Sequence, residues 1–122
     1  RRAGAEPILR AVVGESTSAR VQSGAWNALG EIQAADGLAR KESEPILDAL
    51  YAYLRTVVQY KPLPGESTVE YERALAGAEQ CFQHLSELEQ NAEKKEVLRG
   101  YQRQRLAQLK SEFPNSRFLE SE

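Results

Sequence analysis

Trp26, Leu29 and Gly30 place an aromatic and an aliphatic side chain one helical turn apart, followed by a residue with no side chain at all. On a helix these positions share a face, and the glycine opens a place where a second helix can approach closely. No other feature constrains the fold as strongly. It calls for a partner helix, and the apolar stretch from Glu44 to Tyr60 supplies one. β-branched residues are sparse and never alternate with polar ones over a useful length, so the pattern is helical and contains no strand.

Proline and glycine mark the joints. Gly14, Gly37, the run Pro62-Leu63-Pro64-Gly65 and Pro114 separate five periodic segments. The first helix is expected over about 3–13, with Pro7 near its first turn and Ile8, Leu9, Val12 and Val13 as its stripe. The second is expected over about 17–35. Ser16 is its candidate N-cap, Val21, Ala25, Ala28, Leu29 and Ile32 form its stripe, and Gly37 is the expected stop. The third covers about 43–60, capped by Ser43, with Pro45 in the first turn. Ile46, Leu47, Leu50, Tyr51, Leu54, Val57 and Val58 make one broad face. The fourth, about 67–90, opens with a capping-box spacing from Ser67 to Glu70. Leu75, Ala78, Phe82, Leu85 and Leu88 continue it, and the small residues Ala74 to Ala78 permit close helix contact. The fifth, about 92–113, is narrow-striped and heavily charged. Residues 114–122 read as a tail or as the start of a further element.

The spacing Trp26-x-x-Leu29-Gly30 resembles the opening helix of a tetratricopeptide repeat. Ala49, Tyr53, Thr56 and Pro62 resemble the family's small, aromatic and proline positions in the second helix of the pair. Ala74, Gly77, Ala78 and Cys81, followed by Leu106, Leu109 and Pro114, resemble a second, weaker copy. The resemblance covers roughly residues 20–118. It departs from the family in two places: Gln33 stands where the family has a tyrosine, and Pro62 and Pro114 lie 52 residues apart rather than the family's period of about 34. It implies a single all-α domain in which antiparallel helix pairs, 17–60 and 67–113, stack as an α-solenoid, and 3–13 ends a preceding repeat. The apolar stripes alone also allow a closed helical bundle. The ending Phe113-Pro114-Asn115-Ser116 resembles a junction common in bacterial repeat proteins, which implies a bacterial periplasm or cell-envelope setting.

Composition narrows the function further. The 122-residue chain suits one domain, and its net charge of −2 gives no bulk attraction to nucleic acid or anionic membrane. It has no apolar run near the roughly 20 residues of a spanning helix. Lacking methionine and beginning Arg1-Arg2, it reads as a piece of a longer protein. A single cysteine, Cys81, and a single histidine, His84, lie three apart on one helix face without a third ligand at a suitable spacing. They read as a buried small residue beside a boundary histidine, and no metal or cofactor is expected. Glu66, Glu70, Glu72 and Glu79 sit at or near a helix start, where negative charge is favourable anyway. Lys94, Lys95, Arg99, Arg103, Arg105 and Lys110 are interspersed with Glu93, Glu96 and Glu112, which suits a solvated face better than a phosphate-tracking one. No phosphate loop, dinucleotide fingerprint or zinc motif occurs. No catalytic residue is therefore expected.

These readings lead to a non-catalytic scaffold for a protein or peptide partner. Self-association as a structural bundle is the alternative, and a nucleic-acid adaptor working through the basic last helix a lesser one. In the family's pattern the concave groove is lined by the first helix of each pair. The resemblance thus implies Asn27, Glu31 and Ala34, then Glu72, Glu79, Phe82 and Gln83, as groove-facing residues. Trp26 is expected as a packing residue near Leu50 or Leu54, with a groove anchor as the alternative.

Overall fold

The computed structural model describes residues 2–15 and 19–119, all of whose regular structure is helical. Five α-helices follow one another: α1 (Arg2–Glu15), α2 (Ala19–Arg40), α3 (Ser43–Gln59), α4 (Val69–Leu88) and α5 (Ala92–Glu112). A single 3-10 turn, Arg117–Leu119, comes last. The expected cap Ser16 lies outside the described residues, as do the side chains of Val12 and Val13 and the end of the tail.

Several boundaries differ from the sequence expectation, each for a local reason. Pro7 lies well inside α1 rather than in its first turn. Gly37 does not stop α2. It lies inside the helix because Ile46 packs on it: a Cβ there would meet Ile46 Cγ1 at 2.5 Å. The helix ends instead at Lys41, which takes the left-handed φ of +56°. The Glu42 N–H donates to the Gly37 carbonyl at 3.0 Å and the Lys41 N–H to the Leu38 carbonyl at 3.4 Å. This double return is a Schellman stop with lysine at the position usually held by glycine, so no sequence signal marks it.

Ser43 is the first residue of α3, and the extended residue before it, Glu42, is the N-cap without a side-chain cap bond. The capping box from Ser67 to Glu70 does not form. Thr68 is the N-cap of α4, and its Oγ1 donates to Glu72 Oε2 at 2.7 Å. Between α3 and α4, Leu63-Pro64-Gly65-Glu66 closes a turn in which the Glu66 N–H donates to the Leu63 carbonyl, with Gly65 at φ +90°. Asn91 caps α5 by accepting from the Lys94 N–H at 2.9 Å.

The order of packing follows from the short joints. α2 packs against α1, α3 and α4, and α4 packs against α3, α5 and the 3-10 turn. The main core joins Ile46, Ala49, Leu50 and Tyr53 of α3 to Ala74, Ala78, Cys81 and Leu85 of α4. Ile46 and Leu85 belong to that core, while Val57, near the end of α3, also packs against the second cluster, which holds Tyr71 and Leu75 near the start of α4, as in an antiparallel pair. A second cluster joins Tyr71, Leu75 and Ala76 to Leu109 of α5, with Phe113, Phe118 and Leu119 packed against it.

The Tyr53 ring is the wedge that holds three helices. A Cβ on Gly30 of α2 would lie 2.9 Å from it, and one on Gly77 of α4 only 2.5 Å. The bare backbone at Gly30 thus receives the ring of the next helix. The Tyr53 ring is buried, and its hydroxyl is pushed well above its usual range, first by burial and then by the nearby Cys81 and Glu31.

Candidate interaction surfaces

The inward arc of α3 is narrower than its apolar residues suggest. Ile46, Ala49, Leu50, Ala52, Tyr53 and Thr56 fill it, small residues included. Leu47, Tyr51 and Val58 lie outside it at 37%, 64% and 79% exposure. With partly buried Leu54 they form a row spaced i, i+4, i+7, i+11 along one side of the helix. Trp26 is not in the core either. It is half-buried, and the Arg55 guanidinium of α3 lies 4.6 Å from its ring centroid.

A polar seam joins α2 to α4. Asn27 Nδ2 donates to the Glu70 carbonyl at 2.8 Å and to Glu70 Oε1 at 2.9 Å. Arg73 bridges Glu31 at 3.1 Å and Glu70 at 3.4 Å. Its guanidinium also lies 5.3 Å from the Phe118 ring, which ties the 3-10 turn to the same seam. Residues near 27 and 31 meet residues near 70 and 73, in step, so α2 and α4 run parallel.

This geometry divides the residues assigned to the groove. Asn27 is 1% exposed, with its Oδ1 lacking a partner, and Glu79 is 3% exposed, accepting from Gln102 Nε2 at 2.7 Å. Both are buried and hydrogen-bonded to a neighbouring helix. Glu31 and Gln83 are exposed; Glu72 and Ala34 are half-buried. Phe82 turns toward α5, where its ring meets Tyr101 at 5.4 Å between centroids. The exposed polar side of α4 is completed by Gln80 and Glu87, with Gln83 Nε2 donating to Glu87 Oε2 at 3.4 Å. Arg73, the residue that organises the seam, carries no local sequence signal, since its partner Glu31 is 42 positions away.

The other candidates are quieter. Cys81 is 1% exposed, and burial pushes its thiol up to about 12, so it holds almost no thiolate at neutral pH. His84 is half-buried with Nδ1 3.5 Å from Glu87 Oε1. Among the described residues no group of three or more His, Cys, Asp or Glu is placed to hold a metal ion. None of the described helices is long and apolar enough to cross a membrane. On α5, Arg103 pairs with Glu96 at 3.1 Å, both side chains well exposed. A cleft of about 750 Å³ lies where the 60–67 loop meets the starts of α2 and α4; Arg20, Lys61, Glu66 and Glu70 give it both signs of charge.

No protein-family model, curated protein or solved structure matches this chain.

Proposed function

We propose that the chain is a non-catalytic protein-binding scaffold of antiparallel helix pairs stacked side by side, similar to a tetratricopeptide solenoid. The partner is a peptide or a helix lying along the face shared by α2 and α4. One observation carries this reading: α2 and α4 touch each other directly and in parallel, while α3 packs against both of them and α5 against α4. Side-by-side stacking produces that pattern, whereas a closed bundle would join its first and last helices, and among the described residues α1 and α5 share no extended contact. The close fit of Tyr53 against Gly30 and Gly77 supports the same stacking, because it fixes each helix pair against the next.

The face offered to a partner holds Glu31 and Arg73 at one end and Gln80, Gln83 and Glu87 at the other. It is polar with an acidic excess, which suits a polar or basic segment and an on-rate that falls with salt. Peptides selected from a random library against the purified chain provide the test. Glu31→Lys combined with Gln83→Lys is expected to weaken a selected peptide by at least about tenfold. Reversal at Lys94, Arg99 and Arg103 should leave it bound. The opposite outcome would move the working surface to α5 and sink the proposal. Small-angle scattering tests the architecture separately: stacked pairs give an elongated envelope, a bundle a compact one.

A further inference from the structure

We infer that the exposed row on α3 is a self-association surface, on which α3 of one copy packs antiparallel against α3 of a second. This inference does not rest on the α2–α4 groove, which lies on other helices. It starts from Leu47, Tyr51, Leu54 and Val58, four apolar side chains at alternating spacings of four and three. That is the seam of a helix that packs lengthwise on another helix. No other part of the described chain covers Tyr51 or Val58, at 64% and 79% exposure.

The charge along the flank selects the partner. Asp48 follows Leu47 and Arg55 follows Leu54, so the two occupy the same flanking position one heptad apart, and both are exposed. In an antiparallel pair, equivalent flanking positions on this side meet each other. Tyr51 of each copy then opposes Leu54 of the other, Leu47 opposes Val58, and Asp48 comes to Arg55 twice, once on each side of the two-fold axis. The surface is therefore complementary to itself, as an isologous interface requires. A parallel arrangement, or an unrelated helix, would have no such built-in match. Arg55 is already held in place by the Trp26 ring, 4.6 Å away, so little side-chain freedom is lost when it meets a carboxylate. Four apolar positions on one helix form a small interface, at the low end of the range for specific contacts, so the dimer should be concentration-dependent rather than permanent.

Sedimentation equilibrium of the full chain decides the matter. The native chain should shift from monomer to dimer as its concentration rises through the micromolar range, where small interfaces fall. Tyr51→Glu should raise the dissociation constant by at least about tenfold. Asp48→Arg alone and Arg55→Asp alone should each weaken the dimer, because each sets like charges opposite one another. The double swap Asp48→Arg with Arg55→Asp should restore it. All three substituted positions are exposed, and circular dichroism confirms that each of the four variants is folded. A native chain that stays monomeric to millimolar concentration would overturn the inference. So would a dimer indifferent to Tyr51→Glu, or a double swap that fails to recover what the single changes lost. The last result would leave a dimer that is not antiparallel about α3.

Discussion

α4 and α5 are nearly equal in length, 20 and 21 residues, and they lie against each other, yet they are different kinds of helix. From Ala74 to Glu79 every residue of α4 is buried, whereas Leu109 is the only buried residue of α5. The difference comes from position in the stack. α4 is covered by α3, α5, α2 and the 3-10 turn, and small residues, Ala74, Ala76, Gly77 and Ala78, make up most of its buried middle. α5 has a neighbour on one side only and carries lysine, arginine and glutamate around the rest. A central helix is thus specified by what its neighbours leave room for, and an edge helix by its caps and its solvated charges.

The largest effect that could break this contrast lies at Tyr53. Its ring fills the space that Gly30 and Gly77 leave open, and it is 5% exposed. Tyr53→Ala should cost about 3–5 kcal/mol of stability in denaturant unfolding, the value for losing a buried aromatic. A cost below about 1 kcal/mol would mean that the glycines do not hold a wedge and that α4 is not clamped. No single truncation of an exposed α5 side chain should exceed about 0.5 kcal/mol.

A smaller effect follows from the thiol at the centre of the same contact. Burial holds Cys81 neutral in the folded chain up to about 12, while the unfolded thiol ionises near its ordinary value of about 8.5. The folded pKa is raised, so the stabilisation is complete below the unfolded value and is lost as pH climbs from there toward 12. Between pH 8 and pH 10 the loss should be about 2 kcal/mol. Cys81→Ala should remove this part of the alkaline decline, read from urea midpoints at the two pH values. An unchanged decline in that variant would place the titrating group elsewhere; Tyr53 and Tyr71, both shifted upward by burial, begin to contribute only near pH 10, by at most about 0.4 kcal/mol each there.

Much of this was legible in the residues, and the exceptions have a common cause. The all-helical class, the joint at Pro62 to Gly65 and the close approach at Gly30 follow from periodicity, proline chemistry and a missing Cβ, which are local properties. The stop of α2 was not legible, because Lys41 adopts the left-handed turn without the glycine that advertises one. Trp26 misleads for a different reason: a large aromatic reads as core, but Arg55 covers it at the surface. Asn27 and Glu79 read as surface by residue type, yet each is buried because a hydrogen-bond partner waits on another helix, Glu70 for one and Gln102 for the other. Such pairings join positions far apart in the chain, and one sequence carries no record of them.

The smallest effect tests the edge helix on its own terms. α5 buries so little that its first turn depends on the Asn91 side chain, which accepts from the Lys94 N–H at 2.9 Å. Asn91→Ala should cost about 1 kcal/mol, the usual loss of a capping bond. A helix end anchored by a core would spread that loss over the whole fold, but nothing in the first turn of α5 is buried. Amide exchange at Lys94 to Val97 should therefore quicken several-fold, while Ala74 to Ala78 in α4 slow-exchange as before, beyond the shift set by global stability. Uniform acceleration across both helices would show that α4 and α5 open as one unit, and the distinction between a clamped centre and a cap-held edge would fail.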